Sequence, residues 1–297
     1  MAKDLIIGGA SNYDWNKVKY WVNSIKATGF KGDIVLVATN IDIKTLEILS
    51  SKDVKIHAYG RKTETGLVND SKNAPHVERF IYIWDYLRNN PDYRFVTVTD
   101  TRDVIFQQDP SPFLEKHMFG RSLIASSEGL LYKDEPWGRQ NMKETFGDYL
   151  YQIFQEYLIC NVGTISGYYE DVRDFILMLF QQSINRPIPI VDQAVFNFLI
   201  NQVPFKDEVL VATNKLGWAA QLGVTKGAIE AGAGDIGMSV LQNPSLMDEY
   251  IKLYQDAQPI INGASVTNED GREFCIVHQW DRIPSLKAEI ERKYGND

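Results

Sequence analysis

The sequence predicts an α/β fold, a mainly parallel central sheet flanked by helices, on three observations. Short apolar runs alternate with segments of helical periodicity, the order that yields parallel strands with covering helices. The length of 297 residues suffices to bury a substantial core. Hydrophobic residues make up 44% and charged residues 24%, ordinary globular usage that argues against a disordered or fibrous chain. A single domain covering residues 1–297 is expected.

The elements follow in order. Residues 4–8 read as a buried strand that runs into Gly8-Gly9-Ala10-Ser11, and residues 15–28 then carry apolar side chains at helical spacing. A second strand is expected at 33–38, a short helix at 43–50 and a third strand at 54–58. The polar stretch 60–72 reads as a loop. Pro75 opens a helix to about Leu87, and Asn89-Asn90-Pro91 closes it before a strand at 94–99. Asp100-Thr101-Arg102-Asp103 comes directly afterwards, beyond the carboxyl end of a strand, where open α/β sheets collect their ligands. Later elements are a strand at 122–126, a helix around 144–157, a strand at 158–165 and helices at 170–183 and 191–201. The Gly- and Ala-rich stretch 226–239 reads as a mobile connection. A terminal strand at 273–277 delivers His278-Gln279-Trp280-Asp281-Arg282 ahead of a helix from Pro284.

Bulk properties exclude several classes. The formal net charge of −8 argues against a nonspecific nucleic-acid binder, which needs a basic surface for phosphate contacts. The apolar run near the start is too short for a signal peptide and no later run has the length of a membrane span, so a cytoplasmic protein without a transmembrane segment is expected. Cys160 and Cys275 are the only cysteines, too few for a disulfide framework, and read as reduced core thiols.

Asp100 and Asp103 flank a turn, and two carboxylates held close together repel unless a cation lies between them. Hard oxygen ligands suit Mg2+ or Mn2+, and such an ion neutralises a diphosphate leaving group. The plain alternative is that Asp103 pairs with Arg102 or that one aspartate caps the turn. His278, after the apolar run Phe274-Cys275-Ile276-Val277, is either a satisfied strand-end histidine or a third ligand beside the two aspartates. Gly8-Gly9-Ala10-Ser11 permits close approach to the backbone but has neither P-loop nor dinucleotide-fingerprint spacing. Asp192, taken alone, reads as the capping residue of a helix.

Together and in this order, these residues resemble the GT-A glycosyltransferases, particularly the glycogenin and lipopolysaccharide galactosyltransferase-like group of retaining enzymes. The opening strand with Gly8 to Ser11 resembles the nucleotide-binding start of that fold. Pro75-His76-Val77-Glu78-Arg79-Phe80 is similar to the helix whose arginine faces the donor diphosphate, which makes Arg79 the match. Asp100 to Asp103 resembles the metal-binding DxD strand end, with two residues between the aspartates where the usual motif has one. Asn161-Val162-Gly163 resembles the family's Asn-Ala-Gly segment, Asp192-Gln193 its Asp-Gln helix start, and His278 its late metal-ligand histidine.

The resemblance implies a transferase that takes a UDP- or GDP-sugar as donor and a glycan or other hydroxyl compound as acceptor, in glycan or polysaccharide assembly. Residues 1–110 would form the nucleotide-binding half and 111–297 the acceptor-binding half. Gly8, Gly9, Ala10, Ser11, Arg79, Asp100 and Asn161 would bind the donor, and Asp100, Asp103 and His278 would hold Mn2+ or Mg2+. Asp192 would hold sugar hydroxyls and Gln193 would approach the anomeric centre, with retention if the acceptor attacks from the leaving-group face. With inversion, Asp192 or Glu128 would take the acceptor proton. Ser126-Ser127-Glu128 and Glu135-Pro136-Trp137-Gly138 resemble acceptor-side loops of related transferases, and Trp218 and Trp280 offer flat faces to a sugar if they are not core. Two rival readings are a sugar-nucleotide pyrophosphorylase, disfavoured because residues 8–13 carry no Lys or Arg, and a noncatalytic nucleotide-sugar-binding protein.

Overall fold

The computed structural model describes residues 2–296. A seven-stranded sheet runs in the order Val209–Ala212, Leu123–Leu131, Leu158–Tyr168, Tyr93–Thr99, Lys3–Ser11, Asp33–Thr39 and Lys55–Ala58. Its neighbours are parallel except at Leu158–Tyr168, which runs antiparallel to both flanking strands. Alternation along each strand sends side chains to opposite faces. Ile7, Val35, Val96 and Val98 pack under Phe80 and Ile83 of the helix Pro75–Asn89 and under Phe175 of the helix Tyr169–Ser183. Ile6, Leu36 and Phe95 face the other way, against Val18, Trp21 and Val22 of the helix Trp15–Ala27. Each such side chain, buried completely, contributes roughly 2 kcal/mol of burial free energy, so both helix layers are held by the same strands.

A second sheet of three short strands, in the order Ala219–Gln221, Ile276–His278 and Val104–Phe106, packs on the helix Pro284–Tyr294 through Ile105, Val277, Leu286 and Ile290. It joins segments from the middle and the end of the chain to the strand that follows Asp103. Cys160 and Cys275 are buried free thiols, as expected. Among the described residues no helix is long and apolar enough to cross a membrane.

Several expected elements differ. The stretch 60–72 contains a small antiparallel pair, Arg61–Lys62 with Leu67–Val68. The helix expected at 144–157 is two helices, Pro136–Phe146 and Asp148–Phe154, because Gly147 at φ 88° breaks the ladder. Residues 226–239 are no mobile connection: Lys226–Glu230 and Gly234–Gln242 are helices that bury Ile229, Ile236 and Val240 together in a small core of their own. Residues 126–128, expected as a loop, lie in the strand Leu123–Leu131, whose pairing shifts register on either side of them. Trp218 and Trp280 are almost wholly buried and offer no face to a sugar, whereas Trp137 is 42% exposed.

Candidate active site

The C-terminal ends of the strands Lys3–Ser11 and Tyr93–Thr99 meet at the Asp100 turn, and neighbouring side chains fix that turn. Trp21 donates its indole N–H to Thr99 Oγ1 at 2.9 Å, and Thr101 donates its hydroxyl to the Gly9 carbonyl at 2.9 Å. Asp100 is thus bracketed by two anchored threonines, and its own N–H donates to the Gly163 carbonyl at 3.0 Å. Gly163 must be glycine, because a Cβ there would run into the His278 ring and the Asp100 carboxylate. Gly9 plays the same part toward the helix Pro75–Asn89, since a Cβ on it would lie 2.9 Å from Arg79 Cβ. Both glycines admit protein neighbours, and Gly9 lines the adjoining groove as well.

The strand Val104–Phe106 pairs antiparallel with Ile276–His278, Val104 opposite His278. That register sets Asp103 beside the imidazole, and the Gln279 N–H donates to the Asp103 carbonyl at 2.7 Å. One ligand atom each from Asp100, Asp103 and His278 lies within 4.8 Å of the others. His278 Nε2 is 3.5 Å from Asp100 Oδ2 and 3.6 Å from Asp103 Oδ1. On the other side of the ring, Nδ1 is 2.7 Å from Gln221 Oε1, while Gln221 Nε2 donates to Thr164 Oγ1 at 2.9 Å. The Gln221 amide therefore accepts from Nδ1–H, which leaves the Nε2 lone pair turned toward the carboxylates. Gln221 reaches this place because Ala219–Gln221 runs parallel to Ile276–His278 with Gln221 opposite His278.

Both aspartates also meet guanidinium groups. Arg79 bonds to Asp100 and lies 3.3 Å from Asp192, while Arg102 lies 2.8 Å from Asp103 and 3.4 Å from Asp281. The alternative pairing of Asp103 with Arg102 is thus present together with the cluster, not instead of it. Burial alone would push the Asp103 carboxyl up, but a His278 ring in its protonated form and Arg102 reverse that and hold it well below the usual carboxylate range, whereas the neutral ring with its lone pair turned inward suits a cation between them. Asp192 is not a capping residue. The cap position is Val191, and Asp192 is the first residue of the helix Asp192–Ile200, buried against Arg79.

Beyond this cluster lies a buried polar set. Glu128 Oε1 accepts from Asn161 Nδ2 at 2.7 Å and from Gln193 Nε2 at 3.2 Å, and Asn161 Oδ1 accepts from the Gly163 N–H at 2.7 Å. Burial, aided by the nearby Glu135 charge, pushes the Glu128 carboxyl up to about 7. A carboxyl raised in the folded state contributes stability that is complete below its unfolded value and lost as pH climbs through its folded one. Between pH 5 and pH 8 this site is therefore expected to cost on the order of 3 kcal/mol. Glu128→Gln should flatten that slope, which urea unfolding midpoints at the two pH values measure. An equal slope in both proteins would remove Glu128 as its source.

Three adjoining cavities make one groove. The first is lined by Gly9, Ala10, Ser11, Tyr13 and Arg79, the second by Asp100, Asp103, Asp192 and His278, and the third by Glu128, Glu135 and Asp235. Arg79 and Tyr13 belong to the first and second, and Asn161, Gln193 and Trp137 to the second and third. Gly8 is the one expected site residue that lines none of the three; it is covered by Thr101 and the Thr99 carbonyl.

No family model matches the chain, and no curated protein matches it. Among solved structures, WbbM, described as a bifunctional glycosyltransferase in its apo form, aligns with 99% of this chain and 50% of its own at a TM-score of 0.59 and 11% identity. The chain has the GT-A glycosyltransferase fold. It spans half the length of the WbbM structure. The galactosyltransferase LgtC, solved with donor and acceptor sugar analogues, aligns over 93% of this chain and 86% of its own at a TM-score of 0.47 and 14% identity. Glucosyl-3-phosphoglycerate synthase from Mycobacterium tuberculosis, solved with Mn2+ and UDP, aligns over 71% and 70% at a TM-score of 0.42 and 14% identity.

On this GT-A fold, sequence reasoning did not single out Gln221, Tyr13 or Arg102 as site residues. Gln221 sits in a three-residue strand with no motif around it, and only the pairing with Ile276–His278 reveals it. Gln279 adopts a left-handed backbone at φ 59°, and its Oε1 accepts from the Gly223 N–H at 2.9 Å, which ties together two loops that border the groove.

Proposed function

We propose that this protein is a metal-dependent glycosyltransferase that moves a sugar from a UDP- or GDP-sugar to a hydroxyl of a glycan or other acceptor, with retention at the anomeric carbon. The convergence of Asp100, Asp103 and His278 within 4.8 Å carries this reading. Two carboxylates and an imidazole whose lone pair is turned inward suit Mn2+ or Mg2+. When bound, that ion supplies Lewis-acid stabilisation to a diphosphate leaving group.

The chain's own residues do the rest. The cavity beside Gly9 to Ser11 and Tyr13, lined only by residues numbered below 110, receives the nucleoside. The cavity beside Glu128 and Asp235, lined only by residues numbered above 111, receives the acceptor. This division supports a nucleotide-binding half over residues 1–110 and an acceptor-binding half over 111–297. Arg79 adds positive charge opposite the phosphates. Asp192 and Asn161 hold sugar hydroxyls, and Gln193, between the second and third cavities, lies beside the anomeric carbon.

Retention and inversion ask different things of the carboxylates. Asp192 is engaged by the Arg79 guanidinium, whereas Glu128 accepts from Asn161 and Gln193 at Oε1 alone and is the base that inversion would use. In retention the acceptor oxygen attacks the anomeric carbon from the leaving-group face as the carbon–phosphate oxygen bond breaks, and its proton passes to the departing phosphate oxygen. Proton NMR of the product is expected to give the donor's anomeric configuration. The opposite configuration would make Glu128 the base.

A panel of UDP- and GDP-sugars incubated with manganese and assayed for nucleoside diphosphate tests the reaction class. Release from one donor supports the transferase, nucleoside triphosphate made from added pyrophosphate supports a pyrophosphorylase, and binding without turnover supports a binding protein. Gln221→Leu removes the acceptor for His278 Nδ1–H and is expected to weaken manganese binding by about 10- to 100-fold. Calorimetric titration with manganese measures this, and an unchanged affinity would detach Gln221 from the metal site.

A further inference from the structure

The third cavity of the groove has an unlike lining. The half-exposed Trp137 lines it together with Gly223, Val224, Ala233 and Gly234, and at Gly234 a side chain would meet nothing within 4 Å. The Gly- and Ala-rich stretch of the sequence thus supplies small residues that leave room in this slot. Glu135 holds Trp137 in place: its carboxylate caps the helix Pro136–Phe146 by accepting from the backbone N–H groups of Trp137 and Gly138. Aromatic faces bury large apolar area at small entropic cost, which suits the apolar face of a pyranose ring.

The ionisable groups around the slot are Glu128, only partly charged at neutral pH, with Glu135, Asp235 and Arg282. Arg282 is the single cation, and its Nε lies 3.8 Å from Asp281 Oδ1, so its charge is shared. A carboxylate or phosphate on a ligand here would face like charges, a cost that excludes partners rather than tightening the right one. Resting on the transferase reading above, we propose that this slot takes a neutral or amine-bearing pyranose as acceptor, stacked on Trp137, and refuses sugars that carry a carboxylate or phosphate. Trp137 lines the donor-side cavity as well, which brings a ring stacked on it next to Gln193 and Asn161.

Two measurements test this. Tryptophan fluorescence, recorded with UDP and manganese present, is expected to change on titration with methyl hexosides and 2-amino-hexosides, but not with hexuronides or hexose 6-phosphates. The change should be lost in Trp137→Phe. In turnover, neutral and amino acceptors should exceed anionic ones by at least tenfold in kcat/KM. Trp137→Ala should raise the acceptor KM at least tenfold, and Trp137→Phe should recover most of the loss. Asp235→Lys, at an exposed position outside the polar set, should raise use of the hexuronide at least fivefold. Preference for a phosphorylated or uronic acceptor, or an equal rise in donor KM in Trp137→Ala, would overturn the proposal. Donor hydrolysis with no transfer to or binding of neutral and amino sugars would also overturn it while leaving the transferase reading intact. Failure to hydrolyse any donor would strike at that reading instead, and the fluorescence titration would still decide the slot.

Discussion

Asp103→Asn is expected to lower sugar transfer by about 1,000-fold or more while the fold persists. The substitution keeps the shape of the side chain and one of its acceptors but removes the charge. Arg102 does not become an orphan, because it lies 3.4 Å from Asp281 as well as 2.8 Å from Asp103. The stability loss should therefore be small, on the order of 1 kcal/mol. The activity loss should be large because Asp103 offers a charged oxygen beside Arg102 despite its burial, and an amide in its place turns a donor toward the other ligands. Nucleoside diphosphate release as a function of manganese concentration, beside a urea midpoint, checks both halves. Wild-type turnover with unchanged manganese dependence would remove Asp103 from the site.

What could be read from the sequence was what local pattern encodes. The opening strand with its glycines, the helix from Pro75 and the Asp100 turn are each specified by neighbours a few residues away, and all three lie where expected. The two-residue gap between Asp100 and Asp103, a departure from the usual motif, proves compatible with convergence for a long-range reason. Val104–Phe106 leaves the turn as a strand and pairs with Ile276–His278, so Asp103 meets an imidazole 175 positions later in the chain. The same cause hid Gln221, since nothing near it in sequence says which strand it will lie beside.

Misreadings elsewhere share a second cause, the use of composition where context decides. Glycine and alanine over 226–239 suggested mobility, but a few apolar residues at helical spacing, Ile229, Ile236 and Val240, pack the segment. Tryptophan suggested sugar contacts at Trp218, which packs in the core with Trp21, and at Trp280, which packs in the core with Ile105, while the exposed tryptophan is Trp137. A capping role suited Asp192 by position alone. Its burial beside Arg79, a residue 113 positions earlier, turns it from a helix terminus into one side of an ion pair.

That ion pair yields the other large effect. Arg79→Met is expected to cost about 3 to 5 kcal/mol of stability and to lower transfer by about 100-fold or more. Arg79 is largely buried; burial pulls its guanidinium down, and the charge on Asp192 opposes that pull. Removing it leaves Asp192 as an uncompensated buried carboxylate and takes a cation from Asp100. Asp100 is also a proposed ligand, so the arginine and the metal ion neutralise the same group from two sides. Manganese should consequently raise the unfolding midpoint of Arg79→Met more than that of the wild type, because in the variant the ion relieves repulsion that the guanidinium relieves otherwise. The comparison needs only thermal or urea unfolding with and without manganese, and no substrate. A smaller manganese effect in the variant would mean that the ion is held away from Asp100. A purely structural arginine would lower stability in both conditions by the same amount, with donor affinity untouched.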